Sequence, residues 1–440
     1  MKKIIIILLL CSIYFNAFAQ NTNQPTYPEL RNAEVTVGSF LFEYDVRTQQ
    51  TRNDGERRIL DYRRRVLTNN GFSFKVIKLE DHNYIQQIVR NITSGNKDIS
   101  IYEVEAGAAI QLLRQGLLYP VSDNRAVNLR NREAVAGITP MYNPFAEELM
   151  TFGGKQYGWN YGLPNDGWGQ TVLYFNTAHL AEVGLEPEYL YNLQKDNNWT
   201  WAAFLDLCKK LRRGSTYALP NDDATLIINA FIFGNGANFV TFDNRGRARN
   251  ATNTPAFREA LQFYNQLINE DLMLTRPRYD WGWHWSAFMN QQVSMVFDPE
   301  WRKAQMNQNF TAGYVLPPRG PRVNQFRLDA LNFVYVIPNI FSPAEVDIIL
   351  KAAELWNAPL DTDWLQGHYW ASRNVRDVNE TTVMSRDMRF VTARNYALIP
   401  NFPYDGFIDS FRNGLGSSNP ARIIEQWSSR FNAAITEYNR

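Results

Sequence analysis

Trp281-Gly282-Trp283-His284-Trp285 gathers three indoles and an imidazole around one glycine. Flat rings with a polar N–H edge suit a ligand that is apolar on one side and polar on the other, as a sugar is. The same chemistry is available elsewhere, because the chain holds 12 Trp, 22 Tyr and 27 Phe, most of which must fill cores. A second group that could do chemistry is Glu103 and Glu105, two acids one residue apart. Glycoside hydrolysis needs two carboxylates about 5–9 Å apart. With 44 Asp and Glu in the chain, however, a close pair is expected by chance. The four histidines, His82, His179, His284 and His368, lack metal-ligand spacing, and no H-E-x-x-H occurs. There is no G-x-S-x-G elbow and no glycine-rich phosphate loop after a strand. Cys208 sits in an apolar helical stretch and reads as a buried, inert thiol. No catalytic constellation is therefore evident in the sequence, and neither cofactor nor metal is expected.

The elements that must position these residues alternate. Strands are predicted at 33–41, 72–79 and 98–102, separated by amphipathic helices at 55–69 and from Asp81, with a third helix at 105–115 ending at Gly116. Further strands are expected at 171–175, 293–297 and 331–337. Helices are expected at 178–183, 201–212, after Thr254-Pro255, at 343–356 and at 420–438. Thr200 and Thr254 read as helix caps, Gly153-Gly154 as a hairpin turn, and Pro299 as the start of a short helix. Strands alternating with helices of this length make βαβ units and a mostly parallel sheet, an α/β fold. The length suits two or three domains. With 45 Lys and Arg against 44 Asp and Glu there is no basic face, so a nucleic-acid partner is not expected.

Met1-Lys2-Lys3, the apolar run from Ile4 to Leu10 and Ala17-Phe18-Ala19 read as a secretory signal peptide over 1–19, cleaved before Gln20. The run is short of the roughly 20 residues needed to span a bilayer. Cys11 leaves lipid attachment as an alternative, although Leu10 is a poor residue to precede it. The expected location is periplasmic or otherwise extracytoplasmic.

Five stretches, in order, resemble the family 1 extracellular solute-binding proteins, the group that includes maltose-binding protein. They are Asp98-Ile99-Ser100-Ile101-Tyr102; Gly154-Lys155-Gln156-Tyr157-Gly158 with Leu163-Pro164; Val172 to Thr177 with Gly184-Leu185-Glu186-Pro187 and Trp199-Thr200-Trp201; Phe288 to Val296 with Pro299-Glu300-Trp301; and Leu316-Pro317-Pro318. The resemblance implies two hinge-connected α/β lobes with the ligand in the cleft between them. The N-lobe would hold 33–168 and 326–357, the C-lobe 170–319 and 360–440. It also implies the solute-binding component of an ATP-binding-cassette importer, acting as a monomer. Such a protein takes a carbohydrate-like ligand, an oligosaccharide above all, and delivers it to a membrane permease. A secreted glycoside hydrolase and a surface carbohydrate-interaction protein are the alternatives.

In such sheets ligands lie beyond the carboxyl ends of the strands. That rule selects Phe42, Glu43 and Tyr44 after the first strand, and Asp329 and Asn332 at a second crossing. Tyr102, Glu103 and Glu105 resemble family positions that offer an aromatic ring and an acid. Trp301 resembles the family's stacking tryptophan. Trp168, before the first crossing, and Trp281, Trp283 and Trp285 complete the expected aromatic wall.

Overall fold

The fold was analysed in a computed structural model. It describes residues 27–440 except 41–42, 51–53, 81–82, 124–145, 147–148, 161–170, 222–223, 244–246, 276–281, 300–301, 303–309, 331–332, 358–390, 394 and 414–418. The expected leader at 1–19 lies outside the described residues, as do Asp81 and the ends of both crossings.

The first sheet grows from βαβ units. Strand β1 (Glu34–Ser39) leads to helix α1 (Asp54–Asn70), β2 (Ser73–Lys78), α2 (Tyr84–Thr93), β3 (Ile101–Glu105) and α3 (Ala106–Arg114). A hairpin, β4 (Thr151–Phe152) and β5 (Lys155–Gln156), turns at Gly153 and Gly154, whose φ angles of 58° and 77° are the left-handed values that glycine supplies without strain. After the first crossing come β6 (Thr171–Asn176), α4 (Thr177–Ala181), α5 (Glu188–Lys195), α6 (Trp201–Leu211), β7 (Leu219–Pro220) and α7 (Ala224–Gly234). Strands β8 (Val240–Phe242) and β9 (Ala248–Asn250) pair, then α8 (Pro255–Asn269), β10 (Met273–Leu274), α9 (Trp283–Met289), β11 (Met295–Pro299) and β12 (Ala312–Val315) follow. The chain then runs through β13 (Leu328–Ala330), β14 (Phe333–Val336), α10 (Pro343–Asn357), β15 (Val391–Ala393), α11 (Tyr404–Asn413) and α12 (Pro420–Tyr438).

The first sheet has the order β14-β3-β1-β2. β1 lies parallel to β2 and to β3, whereas β14 is antiparallel to β3. In the second sheet β6 is antiparallel to both β11 and β12. Tyr217 bridges Val293 in parallel, which joins β7 and then β10 to the β11 edge. The reversed strand in each sheet, β6 and β14, is the one that follows a crossing. This gives the two-lobe α/β architecture that the sequence predicts, with small mixed sheets where mostly parallel ones were expected.

Local chemistry explains the element ends. The Thr200 and Thr254 hydroxyls accept hydrogen bonds from the Ala203 and Phe257 amides, at 3.4 and 3.3 Å. Gly116 stops α3 at φ 69°. Pro299 closes β11, paired with Thr171, where an edge position needs no amide donor; of the short helix expected after it, only Arg302 is described up to residue 309, in a 3-10 turn. Where Asp81 was expected as the cap of α2, Asn83 stands at that position, without a side-chain cap bond.

One face of the first sheet packs on α1 and α10 through Val35, Val37, Ile101, Val346, Leu350 and Trp356. Its other face, with Tyr102 and Val104, joins a larger core that runs into the second lobe. The first sheet's helices also touch the C-terminal segment. Helix α3 meets the 3-10 turn Asn395–Leu398, and Arg114 lies 3.9 Å above the Tyr438 ring and donates to the Tyr438 carbonyl. Cys208 is fully buried, and burial pushes its thiol pKa well up, as an inert core thiol requires.

Candidate functional site

The middle of the first sheet, at Val37, Ile101 and Glu103, floors a small cavity on its α1–α10 side. Its volume is ≈ 80 Å³ and its walls include Tyr44, Arg63, Glu103, Tyr335, Trp356 and Asn357. That is room for two or three waters of about 30 Å³ each, or for one polar substituent of a larger ligand.

Each wall has a local cause. Tyr44 is held by a two-way backbone bridge to Val76, both bonds 2.9 Å long, which folds the segment after β1 back over β2. Trp356, in the last turn of α10, stacks on Phe74 at 4.4 Å and meets Tyr44 edge-on at 5.8 Å. Arg63 of α1 lies on the other side, 4.4 Å from the Trp356 ring and 5.3 Å from Tyr44, with its Nε donating to the Trp356 carbonyl at 3.4 Å. Phe74, Trp356 and Arg63 thus form one stack, and a planar cation between two rings is fixed in orientation. Replacing Arg63 by Ala is expected to cost about 1 kcal/mol in denaturant unfolding, with Lys recovering only part of it because it lacks the planar fork.

Glu103 supplies the acid. It is 5 % exposed and pairs across to Ser39 on β1 and Tyr335 on β14, whose hydroxyls donate to its carboxylate. Burial raises its pKa and outweighs the two hydrogen bonds, which pull the other way. The neighbourhood is dry enough that burial also pushes the Tyr62 hydroxyl up to about 12. A carboxyl group in this setting accepts strongly from a ligand hydroxyl that replaces water.

Strand parity decides which of the expected residues meet. Glu103 and Tyr44 come together at the cavity. Tyr102, one residue away, faces the opposite side of the sheet; it is wholly buried there, and its hydroxyl accepts from Asn91 at 3.3 Å. Glu105 ends β3 half-buried, opposite Phe333; burial, and after it the Glu105 charge, raises the pKa of Tyr84, whose ring stacks on Phe40 at 4.9 Å. Glu43 is exposed. Asp329 lies in β13 with its backbone paired to Thr392. Phe42, Trp168, Trp281, Trp301 and Asn332 lie outside the described residues.

In the second lobe Trp283 is half-buried in the first turn of α9, after Gly282 at φ 85°. Trp285 is 8 % exposed and packs edge-on against Tyr174 at 5.3 Å. Among the described residues no group of three or more acids, histidines or cysteines is placed to hold a metal ion.

Arg63, Ser39, Tyr335 and Trp356 were not singled out from sequence. Arg63 belongs to Arg63-Arg64-Arg65, which reads as a solvated charge run. Its spacing from Ile59 and Val66 nevertheless puts it at the flank of the apolar face of α1, a signal that was available.

Comparison with known proteins agrees with this architecture. The lactose-binding protein of Rhizobium radiobacter is 29 % identical over 126 residues, which cover 28 % of this chain and 26 % of that one. The match therefore spans about a quarter of that relative's length. Among solved structures, the sugar-binding protein MalE from Xanthomonas citri superposes with a TM-score of 0.63 at 12 % identity, over 92 % of this chain and 98 % of that one. An ABC substrate-binding protein from Listeria monocytogenes in complex with cycloalternan superposes with a TM-score of 0.61 at 14 % identity, over 92 % and 99 %. At such identities the likeness establishes the two-lobe periplasmic-binding-protein fold. The sequence model of the bacterial extracellular solute-binding proteins matches residues 65–345, well over half of the chain, and the protein belongs to that family.

Proposed function

We propose that this chain is the exported receptor of an ATP-binding-cassette importer, binding a carbohydrate-like solute reversibly between its lobes and handing it unaltered to a membrane permease. The observation that carries the reading is the Glu103 cavity: a buried acid, a stacked guanidinium and aromatic rings side by side on the α1–α10 face of the first sheet. A sugar presents hydroxyls to the first two and C–H faces to the third. The solved relatives, described as a sugar-binding protein and as a cycloalternan complex, support the same class. The lobes proposed are 33–168 with 326–357 and 170–319 with 360–440. The opposing wall is proposed to come from Trp281, Trp283 and Trp301, with Trp168, Asp329 and Asn332 near the crossings and Glu43 and Glu105 at the rim.

The leader proposed over 1–19 would send the mature protein to the periplasm or its equivalent, and no helix among the described residues is long and apolar enough to cross a membrane. A hydrolase would use Glu103 and Glu105 as a pair, yet one is buried inside the sheet and the other sits half-buried at its end. Incubation with maltotriose and lactose, followed by calorimetry, small-angle scattering and chromatography of the sugar, tests the proposal. The expected result is saturable binding, a smaller radius of gyration and sugar recovered intact. Binding without closure, or appearance of monosaccharide, would overturn it.

A further inference from the structure

Asp298 lies next to the end of β11, opposite Val172, close to the point where the first crossing delivers the chain into the second lobe. Its side chain is 2 % exposed. One carboxylate oxygen is 2.9 Å from Nε2 of His284, itself buried in α9, and the other accepts from Nε of Arg302 at 3.4 Å. The Arg302 guanidinium lies 5.7 Å from the centre of the Trp285 ring. The same ring meets Tyr174 edge-on, and the Tyr174 hydroxyl donates to the Pro299 carbonyl at 3.1 Å. Three ionisable side chains thus tie one helix to one strand end, beneath a tryptophan.

Stability alone does not account for this arrangement. A buried charge cluster is commonly no more stabilising than apolar residues of the same volume, whereas its directional bonds specify one geometry. The surroundings supply ample apolar packing already, with Phe288, Val296 and Phe297 all buried. What the charges add is the angle of α9 to the sheet. Trp283 stands in the first turn of that helix, two residues before Trp285 and one before His284. We infer that the His284–Asp298–Arg302 clasp is the positioning element of the second lobe's aromatic wall, fixing Trp285 as a buried pier and thereby the placement at which half-buried Trp283 meets a ligand. The inference rests on the proposed solute-binding reading for its ligand, but the geometry it asserts exists without one.

The test uses the full-length protein labelled with 5-fluorotryptophan, with the Trp283 and Trp285 resonances assigned through Trp283→Phe and Trp285→Phe. Asp298→Asn and His284→Gln are expected to shift or broaden both resonances and to weaken maltotriose binding at least tenfold while the melt stays cooperative. Glu259→Gln, which breaks the exposed pair with Arg322, should leave both resonances in place. If Asp298→Asn does not fold, His284→Gln, which leaves the Asp298–Arg302 pair intact, decides the matter. Unchanged Trp283 and Trp285 resonances in a folded variant, or a lower melting temperature with wild-type maltotriose affinity, would sink the inference. If the parent protein binds neither maltotriose nor lactose, the carbohydrate reading fails, and the resonances alone judge the clasp.

Discussion

Replacing Glu103 by Gln is expected to weaken sugar binding by roughly 10- to 100-fold while making the unliganded protein more heat-stable at neutral pH. The first half follows from losing a charged acceptor, since hydrogen bonds to charged groups contribute about 1.5–3 kcal/mol and each 1.4 kcal/mol is a factor of ten. The second half follows from linkage. Burial raises the Glu103 pKa in the folded chain above its unfolded value. The folded state therefore binds this proton more tightly, and the favourable contribution is complete below the ordinary carboxylate range. It is lost as pH rises through the raised value. Gln carries no such loss, and the Ser39 and Tyr335 hydroxyls can turn to accept from its amide. Melting curves should coincide near pH 4 and separate at pH 7 with the variant higher. A variant that melts lower at pH 7 would show that the carboxylate is a structural anchor.

Gly107→Ala carries the largest expected stability effect. A Cβ built on Gly107 would lie 1.8 Å from the Ala397 carbonyl oxygen and 2.9 Å from its carbon, both backbone atoms that cannot rotate away. Forcing a methyl group into such a contact costs about 1–3 kcal/mol. At about 2 cal/mol/K of unfolding entropy per residue, a kilocalorie moves the melting temperature of a chain this long by about 1 °C, so a fall of about 1–3 °C is expected. Gly116→Ala is the matched control. Nothing lies within 4 Å of its added carbon, and only the left-handed φ of 69° is strained, at about 1 kcal/mol. Similar melting temperatures for the two variants would mean that α3 slides off the Asn395–Leu398 turn at little cost.

Parts of this fold are written locally and were legible. A threonine hydroxyl before an apolar helix caps it, two glycines turn a hairpin, and a strand was legible at 98–102, although it starts at Ile101 and runs on to Glu105. Alternation also told which residues share a face, and so could have separated Tyr102 from Glu103. Other parts are decided by distant partners. Helix α7 (Ala-Thr-Leu-Ile-Ile-Asn-Ala-Phe-Ile-Phe-Gly) is buried nearly all round, so it has no polar face to give it a period. The reversal of β6 and β14 depends on pairing with strands far away in the chain, which no window of residues records. The cavity itself draws on the segment after β1, α1, β3, β14 and α10, so that only Tyr44 and Glu103 could be picked out before the fold was known. Arg63 became a site residue only when α10 brought Trp356 against it.

The late arrival of β14 and α10 has a consequence for how this protein is made. The first sheet begins at Glu34, yet one of its edges is β14, and its α1 side is covered by α10, which ends at Asn357. While the chain is synthesised, Val35, Val37 and Ile101 have no complete partner layer until more than 350 residues have been polymerised. A lobe that needs both ends of its chain cannot close on the ribosome early, because long-range contacts pay their loop entropy before they are rewarded. Synthesis thus leaves the apolar strands of the first sheet without their covering layer until most of the chain has been made. For the same reason a nonsense mutation shortly before Phe333 would spare every residue of the second sheet and still leave the first lobe unable to fold.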